Sequence, residues 1–317
     1  MGTPEFAVAS LDILLKQNYS IVGVITTPDK PAGRGLDLRQ SAIKKYALEK
    51  DLNILQPEKL KDPVFIAQLK SLNADLQIVV AFRMLPESVW NMPRLGTFNL
   101  HASLLPQYRG AAPINRAVMN GDKESGVTTF FLQQEIDTGK IIARERVTIG
   151  ENETAGELHD KLMSVGAELV LKTVKAIETH TYSETEQNKF VPDKEELKQA
   201  PKIFKEDCKI NWTKSIHEIH NLIRGLSPYP AAFTDLLSPE GKSYSLKIFS
   251  TSMELIAVPQ SVAPGTLKTD AKSYLKASLS EGFICIHELQ LAGKKRMEVS
   301  EFLRGFQLDE RWRIGKG

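Results

Sequence analysis

The chain of 317 residues has few of the residues that mark several common classes of protein. Its two cysteines, Cys208 and Cys285, lie far apart and in no CxxC spacing, which argues against a disulfide framework and a cysteine-based zinc site. No run of about 18 apolar residues is present, so no membrane span is expected. The formal net charge of +2 does not by itself point to nucleic acid. The N-terminus has no basic region followed by an apolar stretch, so we expect a cytoplasmic protein without a secretory signal.

The composition otherwise fits a folded protein. Hydrophobic residues make up 42% of the chain and charged residues 25%, which is the ordinary balance of globular domains. Because domains usually span roughly 100–200 residues, a chain of 317 residues is expected to form two of them.

Strand-like and helix-like segments alternate over the first half of the chain. Residues 20–26 and 76–81 are short β-branched runs that predict buried strands. Residues 41–50 predict a helix capped by Ser41. This alternation predicts the α/β class, with a doubly wound and mostly parallel sheet. Ligands of such sheets bind beyond the carboxyl ends of the strands.

The pattern changes beyond residue 183. Residues 184–205 are polar and charged and contain two prolines, which predicts a linker. Residues 206–317 contain one helical pattern and then short strand-like runs separated by Gly, Pro and Ser, which predicts a smaller β-barrel domain of the OB-like kind. The predicted division is therefore a first domain over residues 1–183, a linker over 184–205 and a second domain over 206–317.

The densest group of reactive side chains follows a predicted strand over residues 96–100. Asn99 and His101 are two residues apart, so both side chains project to the same side of an extended backbone. An amide and an imidazole at a strand's carboxyl end can donate hydrogen bonds to an oxygen that becomes negative during a reaction. Histidine can also move a proton near neutral pH. A structural or merely exposed histidine is the alternative interpretation.

Asp137 is the third candidate, in a loop over residues 134–139 between two further predicted strands. A carboxylate near His101 would orient the ring and hold it in the charged form. Because Asp137 precedes Thr138 and Gly139, the alternative is a turn residue that caps its own backbone.

Together these segments resemble a known signature. It consists of Asn99, His101, Ser103, Leu104, Leu105 and Pro106, followed by Asp137, Thr138 and Gly139. The set is similar to that of the formyl-tetrahydrofolate-dependent transferases. The resemblance implies that Asn99, His101 and Asp137 are catalytic, that residues 103–106 line the folate site, and that 10-formyltetrahydrofolate is the co-substrate, with no metal.

Three further segments resemble the branch of that family that acts on charged tRNA. They are residues 28–35, residues 109–114, and residues 210–212 followed by 223–231. The resemblance extends from residue 2 to about residue 305. It implies that the acceptor is the methionine of initiator methionyl-tRNA, formylated for translation initiation, with no membrane and no obligatory protein partner.

Three basic residues are the candidates for tRNA contact. Arg34 lies between two glycines in the first of those segments, where a planar charged guanidinium could bind phosphate while the backbone approaches closely. Lys202 and Lys205 could add phosphate contacts. A solvated loop and a solvated run of charges are the alternative interpretations.

Two other functions share parts of this pattern. A sugar-nucleotide formyltransferase would have the same three catalytic residues and folate site but a different acceptor amine. An RNA-binding protein with an inactive α/β domain would have no transfer activity. The Arg34 loop argues against the first alternative, and the intact set of Asn99, His101 and Asp137 argues against the second.

Residues 1–6 predict a glycine turn into a helix, with Thr3 as the N-cap and Pro4 at the first helical position. The family resembled has an apolar strand before this turn, in the middle of its sheet. Without that strand the core is expected to open and backbone groups to lose their partners. The expectation is therefore that the natural start lies upstream of Met1, or that the chain is a non-functional copy.

Overall fold

A computed structural model describes residues 1–32, 37–191, 196–256, 262–309 and 311–315. The chain divides into two compact units. The first consists of Met1–Pro113, Ser125–Val147 and His159–Ala200, and the second of Ile114–Glu124, Thr148–Leu158 and Pro201–Gly317.

Helices are found in both units. They are α1 (Glu5–Lys16), α2 (Ala42–Glu49), α3 (Pro63–Ser71), α4 (Glu87–Trp90), α5 (Pro113–Met119), α6 (Ala155–Glu178), α7 (Ile216–Leu226) and α8 (Val299–Gly305), with 3₁₀ turns at Gln187–Phe190 and Glu206–Cys208. Within the described ranges, none of these helices is both long enough and apolar enough to cross a membrane.

Short strands make up most of the remaining regular structure. They are β1 (Val24–Ile25), β2 (Lys30–Ala32), β3 (Asp37–Arg39), β4 (Ile54–Leu55), β5 (Gln77–Val80), β6 (Thr97–His101), β7 (Arg109–Gly110), β8 (Glu124–Phe131), β9 (Ile141–Thr148), β10 (Gln199–Ala200), β11 (Ala232–Leu237), β12 (Ser243–Leu255), β13 (Leu267–Thr269), β14 (Leu275–Leu279), β15 (Gly282–Leu291), β16 (Met297–Glu298) and β17 (Arg313–Ile314).

Side-chain caps set the starts of several helices. The Ser41 hydroxyl accepts a hydrogen bond from the Lys44 N–H at 3.2 Å, as the sequence predicted, and satisfies one of the free amides at the start of α2. The expected start of α1 was wrong by one residue. Pro4 has an extended ψ of 179°, so it occupies the N-cap and the helix begins at Glu5.

Parallel pairs dominate the first part of the first unit. β1 pairs with β4 and β5 pairs with β6, both in parallel, whereas β8 pairs antiparallel with β6 in a sheet of order β5-β6-β8-β9. β1 is shorter than the predicted strand over residues 20–26. The α/β class with parallel strands is confirmed. Because β5 and β6 are parallel, the last residues of both strands lie at the same, carboxyl edge of the sheet.

Met1 and Gly2 lie between β1 and β5. The Gly2 N–H donates to the Ile25 carbonyl at 3.1 Å, and the Val80 N–H donates to the Met1 carbonyl at 2.9 Å. Burial lowers the pKa of the Met1 amino group to about 5. Beside these residues is a cavity of about 530 Å³ whose apolar lining includes Leu14.

The second unit is built around one antiparallel sheet. Its order is β13-β14-β15-β12-β11-β17, with β16 paired to β15. An antiparallel bridge between Thr266 and Arg313 joins the two ends of this order and gives the sheet a barrel-like closure. Buried side chains of α7, among them Ile219 and Ile223, pack in the core of this unit. The expected smaller barrel domain in the C-terminal part is therefore confirmed.

His220 is a buried titratable side chain of this second unit. It lies on α7, is 2% exposed, and its Nδ1 is 3.0 Å from the Thr251 hydroxyl. Burial, with a smaller contribution from the nearby Arg224 charge, lowers the pKa of His220 to about 4 from its ordinary 6.5, and Glu151 acts weakly in the opposite direction. The folded protein therefore keeps this ring neutral where the unfolded chain would already be protonated.

We expect acid to destabilise the protein through His220. Since the unfolded chain binds the proton near pH 6.5 and the folded one only near pH 4, the free energy of unfolding should fall as the pH falls between these values, by about 3 kcal/mol in total from this group. Urea unfolding at a series of pH values measures the effect. His220→Asn, which can still contact Thr251, should show a flatter pH dependence. Equal slopes for both proteins would contradict the assignment to His220.

Candidate active site

Asn99 and His101 lie on β6, which has β5 on one side and β8 on the other. Asn99 is opposite Val79 of β5 and Phe130 of β8. It is half-buried, whereas His101 is 6% exposed. The two side chains are two residues apart in the strand and therefore project to the same side of the sheet, at its carboxyl edge.

The ring of His101 is held by a backbone carbonyl. Its Nε2 lies 2.8 Å from the carbonyl oxygen of Tyr108. Because a carbonyl oxygen only accepts hydrogen bonds, Nε2 must carry a proton there. Nδ1 is therefore the ring nitrogen that can gain or lose a proton without breaking this contact.

Asp137 lies on the Nδ1 side of the ring. Its Oδ2 is 3.8 Å from His101 Nδ1, and both side chains are largely shielded from solvent, with 13% and 7% exposed. The same oxygen accepts a hydrogen bond from the Gly110 N–H at 2.9 Å. Asp137 adopts a left-handed φ of +55°, which is uncommon outside glycine and turns the carboxylate toward these partners.

The arrangement can exchange a proton at one defined atom. A protonated His101 ring presents an N–H to the Asp137 carboxylate, and a neutral ring presents a lone pair to it. The Asn99 amide, on the same side of β6, adds a second hydrogen-bond donor. These groups together could stabilise a developing negative oxygen and move a proton.

Residues 103–106 form a rigid segment tied to β8. The Ser103 hydroxyl donates to the Gln107 carbonyl at 2.6 Å, and the Thr128 hydroxyl donates to the Ser103 carbonyl at 2.7 Å and accepts from the Leu105 N–H at 3.1 Å. Ser103 and Leu105 are fully buried. This segment can therefore present its backbone and the half-buried side chain of Leu104 to a ligand, but not those two side chains.

No candidate metal centre is found in the part of the chain that the structure describes. There, His, Cys, Asp and Glu side chains form no group of three or more that could hold a metal ion.

The residues expected to contact tRNA have separate positions. Arg34 lies outside the described residues. Lys202 and Lys205 belong to the second unit and are exposed. Neither has an ion-pair partner among the described residues, and the Lys202 ammonium lies 5.5 Å from the Phe204 ring. By contrast, the neighbouring Lys209 is paired with Asp235 at 2.9 Å.

Three contacts of this site were not predicted from the sequence. They are the Tyr108 carbonyl on His101, the Gly110 N–H on Asp137, and Gln187, which bonds to the backbone of the Asp137 loop. The first two come from backbone groups, which carry no side-chain signal. Gln187 lies in the predicted linker, where a buried glutamine was not expected.

The chain has relatives along its whole length. Residues 1–174 match the formyl transferase family, and residues 202–307 match the formyl transferase C-terminal domain. The chain is 55% identical over 314 residues to the methionyl-tRNA formyltransferase of Bacteroides thetaiotaomicron, covering 99% of this chain and 97% of that protein. It is 52% identical over 314 residues to the protein of the same name from Flavobacterium johnsoniae, with the same coverage.

Solved structures share the fold at lower identity. The N-formyltransferase from Helicobacter canadensis, solved with folinic acid and dTDP-3-aminofucose, has a TM-score of 0.62 and is 22% identical, covering 93% of this chain and 97% of that one. At this identity the likeness is one of fold.

Proposed function

Because this chain belongs to the formyl transferase family, we propose that it transfers a formyl group from 10-formyltetrahydrofolate to the amino group of methionine on initiator methionyl-tRNA. Family membership, expected from the sequence signature, is confirmed. The substrate assignment is carried by one observation: more than half of the residues are identical, over nearly the full length, to proteins named for this activity. The product is the formylated initiator used in translation initiation, so we place the enzyme in the cytoplasm.

The proposed reaction begins with attack of the methionine amine on the formyl carbon. A new C–N bond forms and the carbonyl oxygen becomes negative. The Asn99 amide donates a hydrogen bond to this oxygen, and so does the Nδ1–H of protonated His101, because the Nε2–H is held by the Tyr108 carbonyl. Donors placed in advance are each worth roughly 10²–10³-fold in rate. The bond from the formyl carbon to the folate nitrogen then breaks, which restores the carbonyl.

One proton must leave the attacking amine and one must reach the departing folate nitrogen. His101 Nδ1 is the ring atom that can give a proton to the folate nitrogen and take one from the amine, since Nε2 is bonded to the Tyr108 carbonyl. Asp137, 3.8 Å away, orients the ring and can relay the proton through water. The folate lies against the segment of residues 103–106 and contacts its backbone and the Leu104 side chain.

The two parts of the chain divide the work in this proposal. Residues 1–183 carry the catalytic groups and Arg34, residues 184–205 connect the two parts and carry Lys202 and Lys205, and residues 206–317 add to the tRNA-binding surface. The separate family matches of residues 1–174 and 202–307 support this division. Arg34, Lys202 and Lys205 bind phosphates of the tRNA. The ammonium groups of the two lysines are exposed and have no ion-pair partner among the described residues, which suits them to that task.

Formyl transfer by the purified protein tests the proposal. The assay uses 10-formyltetrahydrofolate as donor, charged initiator methionyl-tRNA as acceptor, and detection of formyl-methionine after deacylation. A matched reaction replaces the tRNA with an amino sugar linked to a nucleotide. Transfer to the tRNA alone is the expected result. Transfer to the amino sugar alone would favour the sugar-nucleotide alternative, and transfer to neither by the folded protein would favour an inactive RNA binder.

Arg34→Ala is expected to weaken use of full-length tRNA without lowering the rate at saturating tRNA. Each phosphate contact adds about one to the slope of log affinity against log salt concentration, so the slope should fall by about one. Lys209→Ala is the control, since its ammonium is already paired with Asp235. An unchanged slope in the Arg34 variant would remove this residue from the tRNA site.

A further inference from the structure

We propose that Gln187 is a positioning residue for formyl transfer, and that it acts by fixing the loop that carries Asp137. The inference rests on the proposed function and adds to it a part played by the segment predicted as a linker. Gln187 does not face the reacting atoms. It holds the backbone on either side of the carboxylate that touches His101.

Gln187 is buried, and its side-chain amide is fully bonded. The exposed fraction is 4%. Its Nε2 donates to the Asp137 carbonyl at 2.8 Å and to the Gly139 carbonyl at 2.9 Å. Its Oε1 accepts from Arg109 Nε at 3.1 Å and from Arg109 Nη2 at 2.7 Å. An amide has two donor hydrogens and two acceptor lone pairs, so this set uses all of them.

The chemistry of these partners fixes the direction of the amide. Two carbonyl oxygens can only accept and the guanidinium can only donate. A flipped amide would place its NH₂ against the Arg109 donors and its oxygen against the carbonyls of Asp137 and Gly139. One orientation is therefore strongly preferred, and the glutamine acts as a rigid brace between Arg109 and the loop.

Both groups of the Gln187 amide, the NH₂ and the oxygen, bind residues that position the Asp137 carboxylate. On one side the amide holds the carbonyl of Asp137 itself, a residue with a left-handed φ of +55° that needs support from its surroundings. On the other side it holds Arg109, the neighbour of Gly110, whose N–H binds Asp137 Oδ2 at 2.9 Å. The brace therefore fixes where that oxygen lies relative to His101 Nδ1.

The contacts favour a role in positioning over one in general stability. Among the residues that the structure describes, the bonds of the amide go to the Asp137 loop and to Arg109 of β7, and none goes to α6 or to the sheet of β5, β6 and β8. Without the brace the loop keeps its bond to Gly110 but loses its two backbone anchors. A shift of about 1 Å in a catalytic group can cost about 10²-fold in rate.

Gln187→Ala tests the proposal in steady-state kinetics with both substrates. The turnover number is expected to fall by about 10–100-fold, whereas KM for the folate and for the tRNA should change by less than about 3-fold. Gln77→Ala is the matched control. Gln77 is also a buried glutamine, 7% exposed, but it lies at the opposite end of the sheet and bonds to Thr97. That variant should lose stability and keep its turnover.

A double-mutant cycle with Asp137→Ala separates positioning from a structural role. If Gln187 acts through Asp137, adding Gln187→Ala to Asp137→Ala should lower turnover by less than about 3-fold further. Losses that multiply in the double variant would overturn the inference, as would normal turnover in Gln187→Ala. If the native protein is active and Gln187→Ala has the same turnover, only this inference is contradicted. If the native protein is folded but transfers no formyl group, the proposed function is contradicted, and this inference with it.

Discussion

His101→Ala is expected to lower turnover by at least about 10²-fold while leaving the protein folded. The variant loses Nδ1, the ring nitrogen that exchanges the proton and whose N–H would stabilise the negative oxygen. In the fold, the ring contributes one hydrogen bond, to the Tyr108 carbonyl, so the loss of stability should be small beside the loss of rate. Asp137→Ala should give a fall of similar size, because the ring loses its charged partner at 3.8 Å.

The measurement is single-turnover formyl transfer at saturating folate and tRNA, with thermal unfolding of the same samples. His159→Ala is a control of the same kind. Its ring lies 3.0 Å from the Asp160 carboxylate and 5.3 Å from the Phe6 ring, as an imidazole–carboxylate pair on α6. It should retain normal turnover. Normal turnover in His101→Ala, with the control also active, would remove His101 from the catalytic residues.

The side chains of the site could be predicted from the sequence, but the contacts that hold them could not. Asn99 and His101 follow from two-residue alternation in a strand, which is a local rule. The Tyr108 carbonyl and the Gly110 N–H act through the backbone, so the residue types at these positions do not reveal that the two groups contact His101 and Asp137. Gln187 is 50 residues from Asp137 in the chain, and no local pattern brings them together.

The fold shows the same division between local and long-range determinants. Apolar residues at helical spacing over residues 154–179 predict a long helix, and α6 (Ala155–Glu178) lies there. The strand expected over residues 20–26 narrows to Val24–Ile25, since pairing with β4 rather than composition decides its ends. The shift of register between β12 and β15 near Ser250 also depends on the partner strand.

Gly110→Ala is expected to damage both stability and catalysis. Gly110 has a φ of +123°, which residues with a Cβ rarely adopt. A Cβ there would lie 2.5 Å from the Ala200 carbonyl oxygen, so the parallel pair of β7 and β10 would have to separate. The free energy of unfolding should fall by about 2 kcal/mol or more. Movement of the backbone also withdraws the Gly110 N–H from Asp137 Oδ2, so turnover should fall in the protein that remains folded.

Gly241→Ala separates the two causes. Gly241 also has a positive φ, +80°, but a Cβ there meets nothing within 4 Å. This control should lose about 1 kcal/mol of stability through the backbone alone and keep its turnover. Urea unfolding and turnover, measured at a temperature where both variants are folded, give the comparison. If Gly110→Ala lost stability but kept normal turnover, the hydrogen bond to Asp137 would be unnecessary for catalysis, and the carboxylate would have to be held by its loop alone.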